Sequence, residues 1–148
     1  MTDHPQRLTP PDPPGALLKG LTVAHDRIRL RRTRGRAPTY LSRIRQLPCL
    51  ACGVEPCGVA AHVRMQSGAH GKHGGMQARP DDKWAVPLCD GCHTQDLTSQ
   101  HQVGERVFWA RIGLNPLLVA ERLYAQRSDL VAMRAVIMVA IAERGVVR

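Results

Sequence analysis

A chain of 148 residues has room for one globular unit plus tails, and with one Phe, two Tyr and two Trp it must build that unit around a core poor in aromatic rings. No basic segment followed by an apolar one opens the chain, and Arg134 interrupts its longest apolar stretch, which excludes a membrane-spanning protein and leads us to expect a soluble, cytoplasmic one. The formal charge is +9, and residues 1–48 carry most of it, with ten Arg/Lys against three Asp.

Taken in chain order, residues 1 to about 25 hold Pro5, Pro10, Pro11, Pro13 and Pro14 and read as disordered. Six arginines follow within ten residues: Arg27, Arg29, Arg31, Arg32, Arg34 and Arg36. Guanidinium forks match phosphate geometry, so residues 1–37 read as a basic arm whose expected partner is DNA or RNA; a merely solvated tail is the bland alternative. From Pro38 to Leu47 a short helix or extended lead-in is expected, then a strand over Val59 to Val63. The glycines at 68, 71, 74 and 75 make Ser67 to Gly75 a loop, and Trp84 to Leu88 reads as a second strand. A helix should start near Asp90, followed by three more. Those are Val103 to Ile112, closed by Gly113; Pro116 to Gln126, capped by Asn115; and Asp129 to Arg144, capped by Ser128 and ended by Gly145. The last is apolar on more than one face, so residues 128–148 should pack on several sides or against a partner in a homodimer.

The cysteines carry the strongest local signal. Cys49/Cys52 and Cys89/Cys92 are two C-x-x-C pairs, and two residues between thiolates let both face one tetrahedral ion. Together they predict a structural Zn2+ site, with buried thiols or two disulfides as the alternatives. Thirty-six residues separate Cys52 from Cys89, too many for a simple turn, so the intervening segment should carry structure and function of its own. Cys57, five residues past Cys52, has the position to replace a ligand; a small buried apolar residue or a free thiol is the expectation, and its role is left open.

The series CLACG, AAHVR, GGM, DDKWAVPLCDGCH, His101 and FWARIGLNP, spread over about residues 47 to 125, resembles the HNH branch of the His-Me finger endonucleases, including phage-associated HNH domains and the RecA-dependent Ref nuclease. The resemblance implies an α+β fold: a zinc-stapled ββα-metal core over residues 38–127, with C-terminal helices and the basic arm. It implies a metal-dependent DNA endonuclease in which His62, at the end of the first strand, is the general base. An imidazole with a pKa near 6.5 suits proton abstraction from water near neutral pH. A core histidine is the alternative. His93 and His101 would hold a catalytic divalent ion, Mg2+, Mn2+ or another; His93 could instead replace Cys92 at the zinc. Many members carry a histidine or aspartate ligand just before the base, where this chain has Ala61, and Asp82 is the candidate for a third ligand or for a carboxylate that orients His62. Asp81, Asp96, His70 and His73 compete with it. The loop bearing His70, Lys72 and His73 is expected to face DNA, with Lys72 touching a phosphate. The Ref likeness adds a recombinase filament as a partner. The competing reading is a non-catalytic zinc-containing module that binds nucleic acid.

Overall fold

A computed structural model describes residues 35–72 and 80–144. Arg27, Arg29, Arg31, Arg32 and Arg34 of the expected arm lie outside the described residues, as do His73 and Gly145; Arg36 is exposed just ahead of the first helix.

That helix, α1 (Pro38–Ile44), begins on a proline, whose missing N–H removes nothing from a first turn that has no intrahelical acceptor. It buries Tyr40, Leu41 and Ile44. The two expected strands form one antiparallel pair, β1 (Val59–His62) and β2 (Ala85–Leu88), in the register Val59↔Leu88, Ala60↔Pro87, Ala61↔Val86 and His62↔Ala85. All four β2 residues are buried, which a single hairpin does not achieve alone. The first cysteine knuckle covers its free edge, Leu50 donating to the Pro87 carbonyl at 2.9 Å, and α1, α4 and the packed side chains around them cover its faces. The class is therefore mixed: helices around a small two-stranded sheet.

After β2 the chain makes a single π-helical turn (Gly91–Gln95) where a regular helix was expected, and then a one-turn helix α2 (Gln100–Val103). The expected helix Val103 to Ile112 is divided. Gly104 has φ +86°, a left-handed conformation that costs a glycine little, and it separates α2 from α3 (Glu105–Ile112). Gly113, at φ +75°, closes α3 as expected.

Helix α4 (Pro116–Ala125) starts where its signals place it, with Asn115 Oδ1 accepting from the N–H groups of Leu117 at 3.1 Å and Leu118 at 3.4 Å. For α5 (Leu130–Glu143) the cap is Asp129 and not Ser128. Its Oδ1 accepts from Val131 at 2.9 Å and Ala132 at 3.1 Å, a reach that fixes Asp129 outside the helix. Against the rest of the protein α5 buries one stripe, Met133, Ile137 and Ala140, while Val131, Met138 and Val139 stay exposed. Among the described residues, then, α5 is fully buried along one stripe, with Val136 and Ile141 partly buried beside it. Among the described residues no helix is long and apolar enough to cross a membrane.

The core joins these parts. Ile44, Leu47, Leu50, Val63, Val86 and Leu88 from the hairpin side meet Trp109, Leu123, Met133 and Ile137 from the helices, and Tyr40 stacks edge-on against Tyr124 with ring centroids 5.3 Å apart.

Candidate functional site

Each cysteine pair sits in a tight turn at the Val59/Leu88 end of the hairpin. In the first, Cys49 donates to the Val54 carbonyl and Gly53, at φ +81°, donates back to the Cys49 carbonyl, each at 2.8 Å. The second is stitched by Cys92 N–H to Cys89 Sγ at 3.4 Å and His93 N–H to the Cys89 carbonyl at 2.9 Å. All five cysteines are free thiols, and the sulfurs of Cys49, Cys52, Cys89 and Cys92 lie within 4.8 Å of one another. Tetrahedral zinc, at a Zn–S bond of about 2.3 Å, requires sulfurs roughly 3.8 Å apart. Cys52 Sγ and Cys89 Sγ are separated by 3.6 Å. The group can hold a metal such as zinc.

Electrostatics within the cluster point the same way. Burial raises the Cys49 thiol, but the N–H groups of Cys52, Cys89 and Ala51 outweigh it and hold the thiol below its ordinary value. Cys52 and Cys92 are pushed up, by burial first and then by their sulfur neighbours. One thiolate forms readily and discourages the next, so a divalent cation at the centre is what permits the full set to ionise. Cys57 takes no part. Its sulfur faces the carbonyls of Ile44 and Val59, both at 3.3 Å, and burial pushes its thiol up to about 11.

At the opposite end of the hairpin, His62 Nε2 lies 2.9 Å from Asp82 Oδ1. Asp82 is 3 % exposed and sits in the turn that leads into β2; its Oδ2 accepts the Ala37 N–H at 2.8 Å, which ties it to the start of α1. A buried carboxylate fixed on one oxygen orients the imidazole on its other oxygen, and with Nε2–H donating to it the lone pair of a neutral ring falls on Nδ1. The His62 side chain is 20 % exposed, enough for water to reach it. Of the competing acids, it is Asp82 that is hydrogen-bonded to His62.

His93, in the π-helical turn, and His101, in α2, pack edge to face, with ring centroids 4.5 Å apart and an interplanar angle of 74°. Burial, reinforced by His101 and Arg64 and opposed by Asp90, holds His93 below the ordinary imidazole range, so it is neutral and able to coordinate. Arg64 is two residues past His62, which puts the exit of β1 within electrostatic reach of His93. The two histidine-bearing pairs are not fused into one ligand set. Among the described residues the four cysteines are the one group of three or more His, Cys, Asp or Glu side chains arranged to hold an ion.

Two residues are placed differently from expectation. Lys72 is buried, its ammonium donating to the Met65 carbonyl at 2.6 Å, and it pairs with Ser67 in an isolated bridge that closes the loop on itself. Burial lowers its pKa against the pull of Glu105. It shapes the loop from inside, where it cannot meet a phosphate. His70 is engaged with Glu121 at 2.9 Å and lies edge-on to Trp84.

Glu105 escaped the sequence reading. From the first turn of α3 its carboxylate accepts the N–H of Arg64 at 2.9 and 3.0 Å, of Met65 at 2.8 Å, and the side-chain amide of Gln100 at 3.0 Å. It clamps the chain that leaves His62 onto the helices that carry His101. A glutamate directly after a glycine at a helix start was the local signal; its partners 40 and 41 residues away had none.

Comparison of the chain with protein-family models, curated proteins and solved structures finds no match.

Proposed function

We propose that this protein is a metal-dependent DNA endonuclease of the HNH kind, its hairpin stapled by a structural Zn2+ on Cys49, Cys52, Cys89 and Cys92. The observation that carries the reading is the His62–Asp82 pair: a partly exposed imidazole, oriented by a buried carboxylate, at the end of a strand whose other end is anchored by the cysteine cluster. In this reading His62 takes a proton from the attacking water through Nδ1, and Asp82 stabilises the imidazolium that forms. His93 and His101 would hold a catalytic Mg2+, Mn2+ or similar divalent ion, and Ala61, the residue before His62, would add no ligand to it. Such an ion supplies polarisation of the scissile phosphate and stabilisation of the leaving 3′ oxygen. The arginines from Arg27 to Arg36 bind the DNA backbone, and a recombinase filament is the proposed protein partner by likeness to the Ref nuclease.

A second reading, a non-catalytic zinc module that binds nucleic acid, is favoured by one observation: no third ligand joins His93 and His101 among the described residues. Plasmid nicking across a metal series separates the two. Wild type should nick with at least one divalent cation, and His62→Ala should lose about 10²- to 10⁴-fold in rate while keeping zinc and DNA affinity. Wild-type protein that binds DNA and zinc yet cuts under no metal establishes the second reading.

A further inference from the structure

Between the segment that leaves β1, helix α3 and the start of α4 lies an open cavity of about 420 Å³. That volume is within the range of small-molecule sites, and it is large enough for one nucleotide. Met65, Ala110 and Leu114 contribute the accessible apolar wall, while Trp109 and Leu117 line it from the core with almost no exposed surface; Ser67 and Asn115 contribute polar edges. Arg106 stands at the side, exposed and without an ion pair among the described residues. Among the described residues no carboxylate lines the cavity. Asn115 spends its Oδ1 on capping α4, which orients its amide and leaves Nδ2 as a donor, at a long 3.5 Å from His70 Nε2.

This chemistry suits a nucleobase with its phosphate: an apolar wall, a few hydrogen-bonding groups, and one cation at the rim. Met65 also lines the cavity and is three residues from His62, a separation of at most about 11 Å along the chain. A nucleotide seated here therefore belongs to the strand passing His62. We infer that the cavity receives one nucleotide of the bound DNA, turned out of the base stack, with its base against the accessible apolar side chains of Met65, Ala110 and Leu114 and its phosphate on Arg106. Base pairing and stacking oppose the turning, so the preferred DNA is one in which a base is already unpaired. The inference rests on DNA being the substrate proposed above and names the structural feature of it that is recognised.

The test is the affinity of full-length, zinc-loaded protein for a perfect duplex and for the same duplex carrying a single-base bulge, measured without a catalytic cation so that cleavage plays no part. Wild type should prefer the bulge by at least about tenfold. Ala110→Trp, which adds an indole to an exposed wall position, should bring the ratio to near one while leaving affinity for the perfect duplex unchanged. Arg106→Ala, a surface change that leaves the core intact, should also reduce the ratio, and free deoxynucleoside monophosphate should compete for bulged DNA in wild type but not in Ala110→Trp. Equal affinities in wild type, or an unchanged ratio in both variants, overturn the inference. Cleavage by a protein with no bulge preference defeats this inference alone; a bulge preference in a protein that never cleaves defeats the nuclease reading alone.

Discussion

Replacing Glu105 by alanine removes acceptors from four N–H···O contacts made by three donors, the backbone N–H groups of Arg64 and Met65 and the amide of Gln100. A hydrogen bond to a charged group contributes about 1.5 to 3 kcal/mol when well shielded, and partial exposure at this site brings each donor closer to about 1 kcal/mol. The carboxylate at the first position of α3 adds roughly 0.3 to 1 kcal/mol through the helix dipole. Glu105→Ala should therefore cost about 3 to 4 kcal/mol, a large part of the roughly 5 to 15 kcal/mol that holds a domain of this size. At roughly 4 °C per kcal/mol the melting temperature should fall by 10 °C or more. Glu105→Gln keeps one acceptor oxygen and should recover about half. Urea unfolding of zinc-loaded protein, followed by far-UV circular dichroism, measures both. A change below about 0.5 kcal/mol in the alanine variant, or a glutamine variant as damaged as alanine, would show that the clamp is not holding the exit of β1.

Three other outcomes are expected. Cys89→Ser should lose the metal and unfold the region around the hairpin, because zinc binding of about 10 kcal/mol or more is coupled to folding; elemental analysis of protein that is folded yet zinc-free would refute the staple. Asp82→Asn preserves size and an acceptor for the Ala37 N–H but removes the charge facing His62, so nicking should fall by about 10²-fold with stability little changed; wild-type rates in this variant would separate Asp82 from the chemistry. Deleting residues 1–36 removes Arg7, Lys19 and the six arginines from Arg27 to Arg36, and if half of these contact phosphates the slope of log affinity against log salt should shrink by about 3 to 4. Identical slopes would make the arm a solvated tail or a docking segment for protein.

What was legible in the sequence is what local chemistry dictates. The strand positions followed from apolar runs bounded by turns, α4 from Asn115 and Pro116, and the cysteine cluster from its two-residue spacing, all of which operate over a few residues. The errors arise where local options are nearly equal. Ser128 and Asp129 are both good caps, and only the path of the backbone chose the second. Gly104 inside an apolar pattern reads as a tolerated helical residue, yet its left-handed φ lets Glu105 begin a new helix and reach back to Arg64. Lys72 looked like a cation for phosphate because a lysine among glycines is normally solvated; the carbonyl of Met65 turned it inward. The contact from Arg64 to Glu105 spans 41 residues, beyond any window in which periodicity is informative, while those of Lys72 and Asp129 are short but join a side chain to the backbone, which an apolar pattern does not record.

The same long-range ties explain how a sheet of two four-residue strands can hold the His62 imidazole still. An isolated hairpin of this length is marginal in water. Here its Val59/Leu88 end is pinned by the cysteine cluster, and its His62/Ala85 end by Asp82, which joins the imidazole to the N-terminus of α1, and by Glu105, which joins the outgoing strand to α3. Four residues of strand span only about 13 Å, so neither end can loosen without the other being felt. Metal removal should then disturb His62 although no cysteine touches it, and the disturbance should travel through the register of the strands. Placing the cysteine cluster and the proposed base at opposite ends of one short hairpin makes the position of the second depend on the first, although the two share no contact.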